Sequence, residues 1–336
     1  MPWKGEKDPY KIWLSEIILQ QTRVDQGLDY YNRFVTAFPN VHALAKAPET
    51  TVFKLWEGLG YYTRCKNLIA TANYISTDLK GKFPDVYEEI LALKGVGPYT
   101  AAAVGSFAFN LPRAVVDGNV FRVLARYFGM ATPTDSIEGK RLFTGLAHEL
   151  LDKNNPAAYN QALMDFGATV CKPQQPACAV CVLKKKCSAC NSGSVNQLPV
   201  KEKSIKKKTR FFYYIVAEYK GEVYVRKREP KDIWENLYEF ILLENNQPLP
   251  VENGKDWELL SALTGQVILE TEHISGVYKQ LLTHQIIYGQ FIKIKLKKPL
   301  TLKGFEKVDK AGLALLPFPK FITNYLKDKA VSLNLF

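Results

Sequence analysis

Five of the six cysteines in this 336-residue chain fall between Cys171 and Cys190. Four of them follow the spacing Cys171-x6-Cys178-x2-Cys181-x5-Cys187. Thiols this dense commit the chain to a compact loop closed around something. In a large intracellular chain, as this one is expected to be, clustering of this kind favours a metal centre over disulfides. Four thiolates hold either a tetrahedral Zn²⁺ or an iron–sulfur cube, and the spacing admits both. Cys190 is a spare in the pattern, and Cys65 lies far away in a helical stretch. Lys184, Lys185 and Lys186 sit inside the loop, where they can meet phosphates.

Upstream of the loop, residues 1–190 read as helical. "IWLSEIILQQT", residues 12–22, is apolar apart from Ser15, Glu16 and the glutamines and threonine at its end. Asp8 is placed to cap this helix and Pro9 to open it. Further helical patterns run through "TVFKLWEGL", "TRCKNLIATANYISTDL", "VYEEILAL", "YTAAAVGSFAF", "NVFRVLARYF", "GKRLFTGLAHELL" and "PAAYNQALMDFGATVC". Residues 191–210 are polar and basic, as a solvated linker is. From Phe211 the texture turns aromatic and β-branched. "FFYYIVAEY", "EVYVRKR", "IWENLYEFILLE" and "HQIIYGQFIKIKL" read as strands, while "DWELLSALTG" and "FPKFITNYLKD" read as helices. Residues 211–336 are therefore expected to be an α+β domain. No fixed-period repeat is visible.

The net charge of +12 points to an anionic partner, nucleic acid first. The polar N-terminus, and the lack of any run near the roughly 20 apolar residues of a membrane span, give a cytoplasmic, nucleoid-associated expectation. Within the helical part, "LALKGVGPYTAAAV" reads as a helix, a hairpin with Gly95 and Gly97 at positive φ, and a second helix opened by Pro98. Amides of Gly95, Val96 and Gly97 then face one spot beside a helix N-terminus, which suits a DNA phosphate and carries no sequence preference. Asp117, in "AVVDGNVFRVLARYF", ends an apolar stretch at a helix start, where N–H groups favour the charged carboxylate. Glu16, among Ile12, Trp13 and Leu19, is expected to lose solvation and hold its proton near neutral pH. Two carboxyls pushed in opposite directions form the acid and charge-stabiliser pair that breaks glycosidic bonds.

These segments together resemble the helix–hairpin–helix DNA glycosylases with a [4Fe–4S] cluster. "LSEIILQQT", "LWEGLGYYTR", "LKGVGPYTA", "VDGNVFRVLAR" and the four-cysteine loop match in order. Within that superfamily the chain resembles the A/G-specific adenine DNA glycosylases, the MutY family. The resemblance implies a mainly α N-terminal glycosylase fold, with the hairpin motif at 86–108 and the iron–sulfur loop at 171–187. It also implies a Nudix-like α+β C-terminal domain that reads 8-oxoguanine. No Nudix hydrolase box is present, so that domain is expected to bind rather than hydrolyse. The implied substrate is double-stranded DNA with adenine opposite 8-oxoguanine or guanine, acted on by a monomer. The alternatives are a bifunctional endonuclease III-like glycosylase/lyase and a non-catalytic DNA-binding iron–sulfur protein.

By the same resemblance, Glu16 is the acid that protonates adenine N7 and Asp117 the carboxylate facing the oxocarbenium-like sugar. Tyr99 and Asn119 position Asp117 and the water. Tyr99 stands where bifunctional relatives carry a Schiff-base lysine, and without that amine a lyase lacks its nucleophile. Trp3, Leu19, Val24 and Gln161 line the adenine pocket, while Gln21, Thr22, Leu59 and Tyr61 fill the gap and touch the 8-oxoguanine side. Cys171, Cys178, Cys181 and Cys187 bind the cluster. In the C-terminal domain Thr283 and His284 match two positions of a Phe-Ser-His loop, and Leu282 replaces its aromatic. Pro2-Trp3-Lys4 stands where the family has Pro-Trp-Arg, and lysine lacks the planar fork of arginine. The family also has a helix upstream of this motif, so a truncated start is expected. Tyr30, Tyr31, Tyr62, His42 and His148 are expected to be ordinary structural residues.

Overall fold

The computed structural model describes residues 4–202, 207–249 and 268–328. Trp3 and the "DWELLSALTG" segment lie outside these. The chain divides into two compact units, Met1–Lys46 with Lys66–Ser204, and Ala47–Cys65 with Ile205–Phe336.

The first unit is helical. It holds α1 (Pro9–Leu19), α2 (Val24–Ala37) and α3 (Val41–Lys46), then most of α5 (Tyr62–Thr77), which follows α4 (Glu49–Trp56) of the second unit. After these come α6 (Tyr87–Ala92), α7 (Pro98–Phe109), α8 (Gly118–Phe128), α9 (Ile137–Leu150), α10 (Pro156–Thr169) and the short α11 (Ser188–Asn191). Local chemistry sets the starts. Asp8 caps α1 by accepting from Tyr10 N, Asp117 caps α8, and Ser136 caps α9 by accepting from Gly139 N. Pro98 opens α7 as expected. Trp13, Leu14, Ile17 and Ile18 of α1 are almost fully buried, and the Trp13 ring packs 5.6 Å from that of Phe83. That buried face carries Glu16 inward with it.

The hairpin between α6 and α7 differs from the expectation at one position. Gly95 is left-handed at φ +79°, but Gly97 is extended at φ −99°. One left-handed residue completes the turn, because the Val96 amide already closes it onto Leu93 O at 3.0 Å. An added Cβ at Gly95 would also lie 2.6 Å from Asn67 Cβ, so close approach as well as φ demands glycine there.

Among its described residues the second unit carries an eight-stranded mixed sheet: β1 (Lys208–Tyr219), β2 (Glu222–Lys227), β3 (Tyr238–Glu239), β4 (Ile241–Asn245), β5 (Ile268–Ile274), β6 (Tyr278–Leu281), β7 (Gln285–Leu296) and β8 (Glu306–Val308). β1 and β7 run parallel from Lys208↔Gln285 to Glu218↔Lys295, and the other pairings are antiparallel. Two helices follow, α12 (Lys310–Leu315) and α13 (Lys320–Leu326). The expected strand through "IWENLYEF" is corrected at its start: residues 231–237 form turns, with Lys231, Trp234 and Asn236 left-handed. Buried Arg228 fixes them, donating to Ile233 O and Asp232 and pairing with Glu239. Arg210 adds a fork to both oxygens of Asp232 and of Glu244.

α4 joins this unit through specific bonds. Lys54 Nζ donates to Leu316 O at 2.9 Å, and Glu57 Oε1 accepts from Phe318 N at 2.8 Å. No helix among the described residues is long and apolar enough to cross a membrane.

Candidate active site

In the first unit, α1, α7 and α8 bring three titratable side chains together. Glu16 is 8% exposed. Burial pushes its carboxyl up to about 7; a hydrogen bond with the Tyr99 side chain opposes the rise, and the charge of Asp117 adds to it. Burial likewise pushes the Tyr99 phenol well up, followed by the charges of Glu16 and Asp117. Tyr99 therefore stays a neutral O–H donor over the range in which Glu16 titrates.

Asp117 sits at the N-cap of α8. Its Oδ1 accepts from Asn119 N and Val120 N, each at 2.8 Å, and its Oδ2 accepts from Asn119 Nδ2 at 2.6 Å. An ionised carboxylate is acceptor-only, and all three partners donate. Asn119 is held in turn. Its Oδ1 accepts from Arg122 Nη2 at 2.7 Å, and a Cβ at Gly167 would lie 2.6 Å from Asn119 Cβ. The close passage of α10 past α8 thus needs glycine at 167 and fixes the Asn119 stem.

Arg122 went unnoticed in the sequence. It is buried, and besides Asn119 it donates to Gly167 O at 2.7 Å and Cys171 O at 2.6 Å. Arg126, one turn on, donates to the Cys171 sulfur at 3.4 Å and to the carbonyls of Lys172, Pro173 and Leu198. Asp117, Asn119, Arg122 and Cys171 therefore form one hydrogen-bonded chain. The available signal was the spacing of Asn119, Arg122 and Arg126, which stacks them along one face of a helix.

Gln161 lies on α10 and donates to Asp165 Oδ1 at 3.0 Å, and Lys4 pairs with Asp165 Oδ2 at 2.7 Å. Lys4 and Gln161 thus share Asp165 as a partner. Leu19 ends α1, Val24 opens α2, and Gln21 and Thr22 occupy the turn between. Gln21 is left-handed at φ 55°, a conformation a non-glycine residue rarely adopts.

Leu59, Tyr61, Thr283 and His284 belong to the second unit. Leu59 is buried. Tyr61, also left-handed at φ 48°, is exposed, and its hydroxyl lies 2.7 Å from Thr283 Oγ1. Thr283 and His284 form the hairpin between β6 and β7, where Lys208 N donates to His284 O. The turn is real, and Tyr61 meets it.

Cys171, Cys178, Cys181, Cys187 and the spare Cys190 line one apolar cavity. Val123, Arg126 and Tyr127 of α8 form part of its wall. Lys184, Lys185 and Lys186 are exposed beside it, as are Val180 and Val182.

Residues 14–146 match the profile of the HhH-GPD superfamily of base excision DNA repair proteins. The adenine DNA glycosylase of Buchnera aphidicola subsp. Baizongia pistaciae is 38% identical over 242 residues, covering 71% of this chain and 68% of that one. The chain belongs to the adenine DNA glycosylase family. The human adenine DNA glycosylase is 39% identical over 199 residues, 56% of this chain and 36% of its own. Among solved structures, a thermostable thymine-DNA glycosylase superposes with a TM-score of 0.53 at 32% identity, covering 57% of this chain and 88% of that one. An endonuclease III–DNA complex, at 21% identity and a TM-score of 0.50, shows the shared helical fold. Family membership gives the buried Glu16 and capped Asp117 a chemical context: both fall within the matched residues, as do Tyr99 and Asn119.

Proposed function

We propose that Glu16, Tyr99 and Asp117 hydrolyse the N-glycosidic bond of adenine in double-stranded DNA, making the chain a monofunctional adenine DNA glycosylase of base excision repair. The observation that carries this is the pairing of a buried carboxyl titrating near neutrality with a second carboxyl held by three N–H donors. Adenine first leaves the stack, at a cost of roughly a few kcal/mol. Protonated Glu16 donates to N7, turning the base into a neutral leaving group. The C1′–N9 bond breaks with its electrons on the base, and Asp117 faces the positive charge left on the sugar. Glu16, now charged, takes a proton from the water that adds at C1′. Tyr99 holds the two carboxyls in register and, having no amine, supports no Schiff base.

Gln161, hydrogen-bonded to Asp165, reads the adenine edge, and Leu19 and Val24 serve the same pocket. Gln21, Thr22, Leu59 and Tyr61 serve the gap and the opposite base. Thr283, bonded to Tyr61, and His284 serve the base opposite adenine, 8-oxoguanine or guanine, and the C-terminal unit acts as a Nudix-like reader. The left-handed backbone at Gln21 and Tyr61 supports this, since such strain collects where ligands are held. Phosphate is gripped at the hairpin. Gly97 supplies no capping side chain, so the first amides of α7 have no cap partner there.

The cysteine cavity fits a [4Fe–4S] cluster held by Cys171, Cys178, Cys181 and Cys187. Thiolates are the donors such a cluster takes, and these line a cavity. Bound there, the cluster would cross-link the loop beside its lysines, and it takes no part in a hydrolysis that changes no oxidation state.

The test is adenine release from duplexes with A opposite 8-oxoguanine, guanine, cytosine and thymine. Release from the first two, with strand breakage only after alkali, is expected. Nicking without alkali would move the chain to the lyase class, and release from none of the duplexes would remove the assignment.

A further inference from the structure

The turn between α4 and α5 is tightly wound. Gly58, Gly60 and Tyr61 are all left-handed, at φ +90°, +78° and +48°. An added Cβ at Gly60 would meet nothing within 4 Å, so conformation alone calls for glycine there. Two side chains hold the turn at one atom. Gly60 O accepts from Trp56 Nε1 at 3.0 Å and from Arg64 Nη2 at 3.3 Å. The Arg64 backbone amide donates to Tyr61 O at 2.8 Å. The guanidinium carbon of Arg64 lies 5.1 Å from the centre of the Trp56 ring and 5.4 Å from that of Tyr61. Arg64 is 9% exposed, whereas Tyr61 is 45% exposed.

For stability alone this is a costly place for arginine. Burial strips a cation of its hydration, and the first turn of α5 sets it against the helix dipole. In that place the guanidinium grips the Tyr61 ring and the carbonyl just before it. We propose that Arg64 is a positioning residue for Tyr61, fixing that ring for insertion into the base stack beside the mispair. The inference rests on the gap-filling reading of Tyr61 given above. Arginine can lie on an aromatic face while its fork donates to a carbonyl, and lysine, a point charge, cannot do both. A ring already held in place loses little freedom on insertion, so more of its stacking energy offsets the cost of extruding adenine. Arg64 acts through Tyr61 and takes no part in the proton transfers.

The experiment places 2-aminopurine next to 8-oxoguanine in the strand opposite adenine and follows its fluorescence at saturating protein. The intact chain is compared with Arg64→Lys, Arg64→Met, Tyr61→Leu and Tyr61→Leu/Arg64→Met variants. The intact chain is expected to raise the fluorescence as the bases unstack. Arg64→Lys and Arg64→Met should lose most of that rise while still binding the duplex. Single-turnover adenine release should fall roughly tenfold in each, the order expected when a desolvated cation–π contact is lost. The pH at which the rate declines should not move, because Glu16 sets it. Adding Arg64→Met to Tyr61→Leu should cost nothing further, since the arginine works through the ring. Thermal unfolding shows which variants fold, and Arg64→Lys takes the place of Arg64→Met in the cycle if the latter does not. An equal rise from the intact chain and Arg64→Lys, or losses that add in the double variant, would overturn the positioning role. The fluorescence needs no bond cleavage, so it is read independently of adenine release. An intact chain that binds the duplex without any rise would instead overturn the gap-filling reading of Tyr61.

Discussion

At the scale of single residues, Glu16 sets the balance between stability and chemistry. Its carboxyl titrates near 4.5 when unperturbed and at about 7 in the fold. A folded value raised above the unfolded one gives stability that is complete below about 4.5 and lost as the pH rises through about 7. The loss at alkaline pH is on the order of 3 kcal/mol. Glu16→Gln keeps the shape and removes the charge. Thermal unfolding should therefore show the variant more stable than the parent above neutrality and equal to it in acid, while adenine release falls roughly 10²–10⁴-fold. A variant less stable at alkaline pH would deny that Glu16 is buried against its solvation. Tyr99 gives a separable effect. Its hydrogen bond favours the charged form of Glu16, so Tyr99→Phe should move the alkaline limb of the rate profile to higher pH.

At the scale of elements, α8 joins the reaction centre to the cysteine loop. Replacing Arg122 with Met leaves Asn119 Oδ1, Gly167 O and Cys171 O without their donor. A loss of about 3 kcal/mol in urea unfolding is expected, with slower adenine release and less retained iron. Gly95→Ala meets both a left-handed φ and Asn67, and should cost roughly 1–3 kcal/mol. On the proposed reading, DNA affinity should fall for every sequence alike, because a phosphate grip carries no sequence preference. Elements signalled by local chemistry were legible in the sequence: Asp8 and Asp117 as caps, Pro98 at the start of α7, and the apolar run that buries Glu16. Elements set by distant partners were not. Residues 231–237 read as strand because their side chains are apolar and aromatic, yet buried Arg228 with Glu239 and Asp232 holds them in left-handed turns. Arg122 escaped notice because its partner Cys171 is 49 residues away.

At the scale of the whole molecule, the sequence puts residues 47–65 among helices, while the fold places α4 with the C-terminal sheet. Lys54 and Glu57 find their partners at Leu316 and Phe318. A chain ending at Ser204 should therefore melt at a lower temperature than the full chain, with α4 the first element to lose hydrogen-exchange protection. Thr283→Ala removes the bond to Tyr61 and, on the proposed reading, should change the ratio of release from the 8-oxoguanine and guanine duplexes without reducing either to background. The central claim is that a protonated Glu16, beside Asp117, starts the bond cleavage. The direct measurement is the single-turnover rate of adenine release against pH, for the intact chain and for Tyr99→Phe. The account predicts a rate that is flat in mild acid and falls as pH passes about 7, with the fall displaced upward in the variant. A rate that rises through neutrality, or a limb that stays in place when Tyr99 loses its hydroxyl, would contradict it.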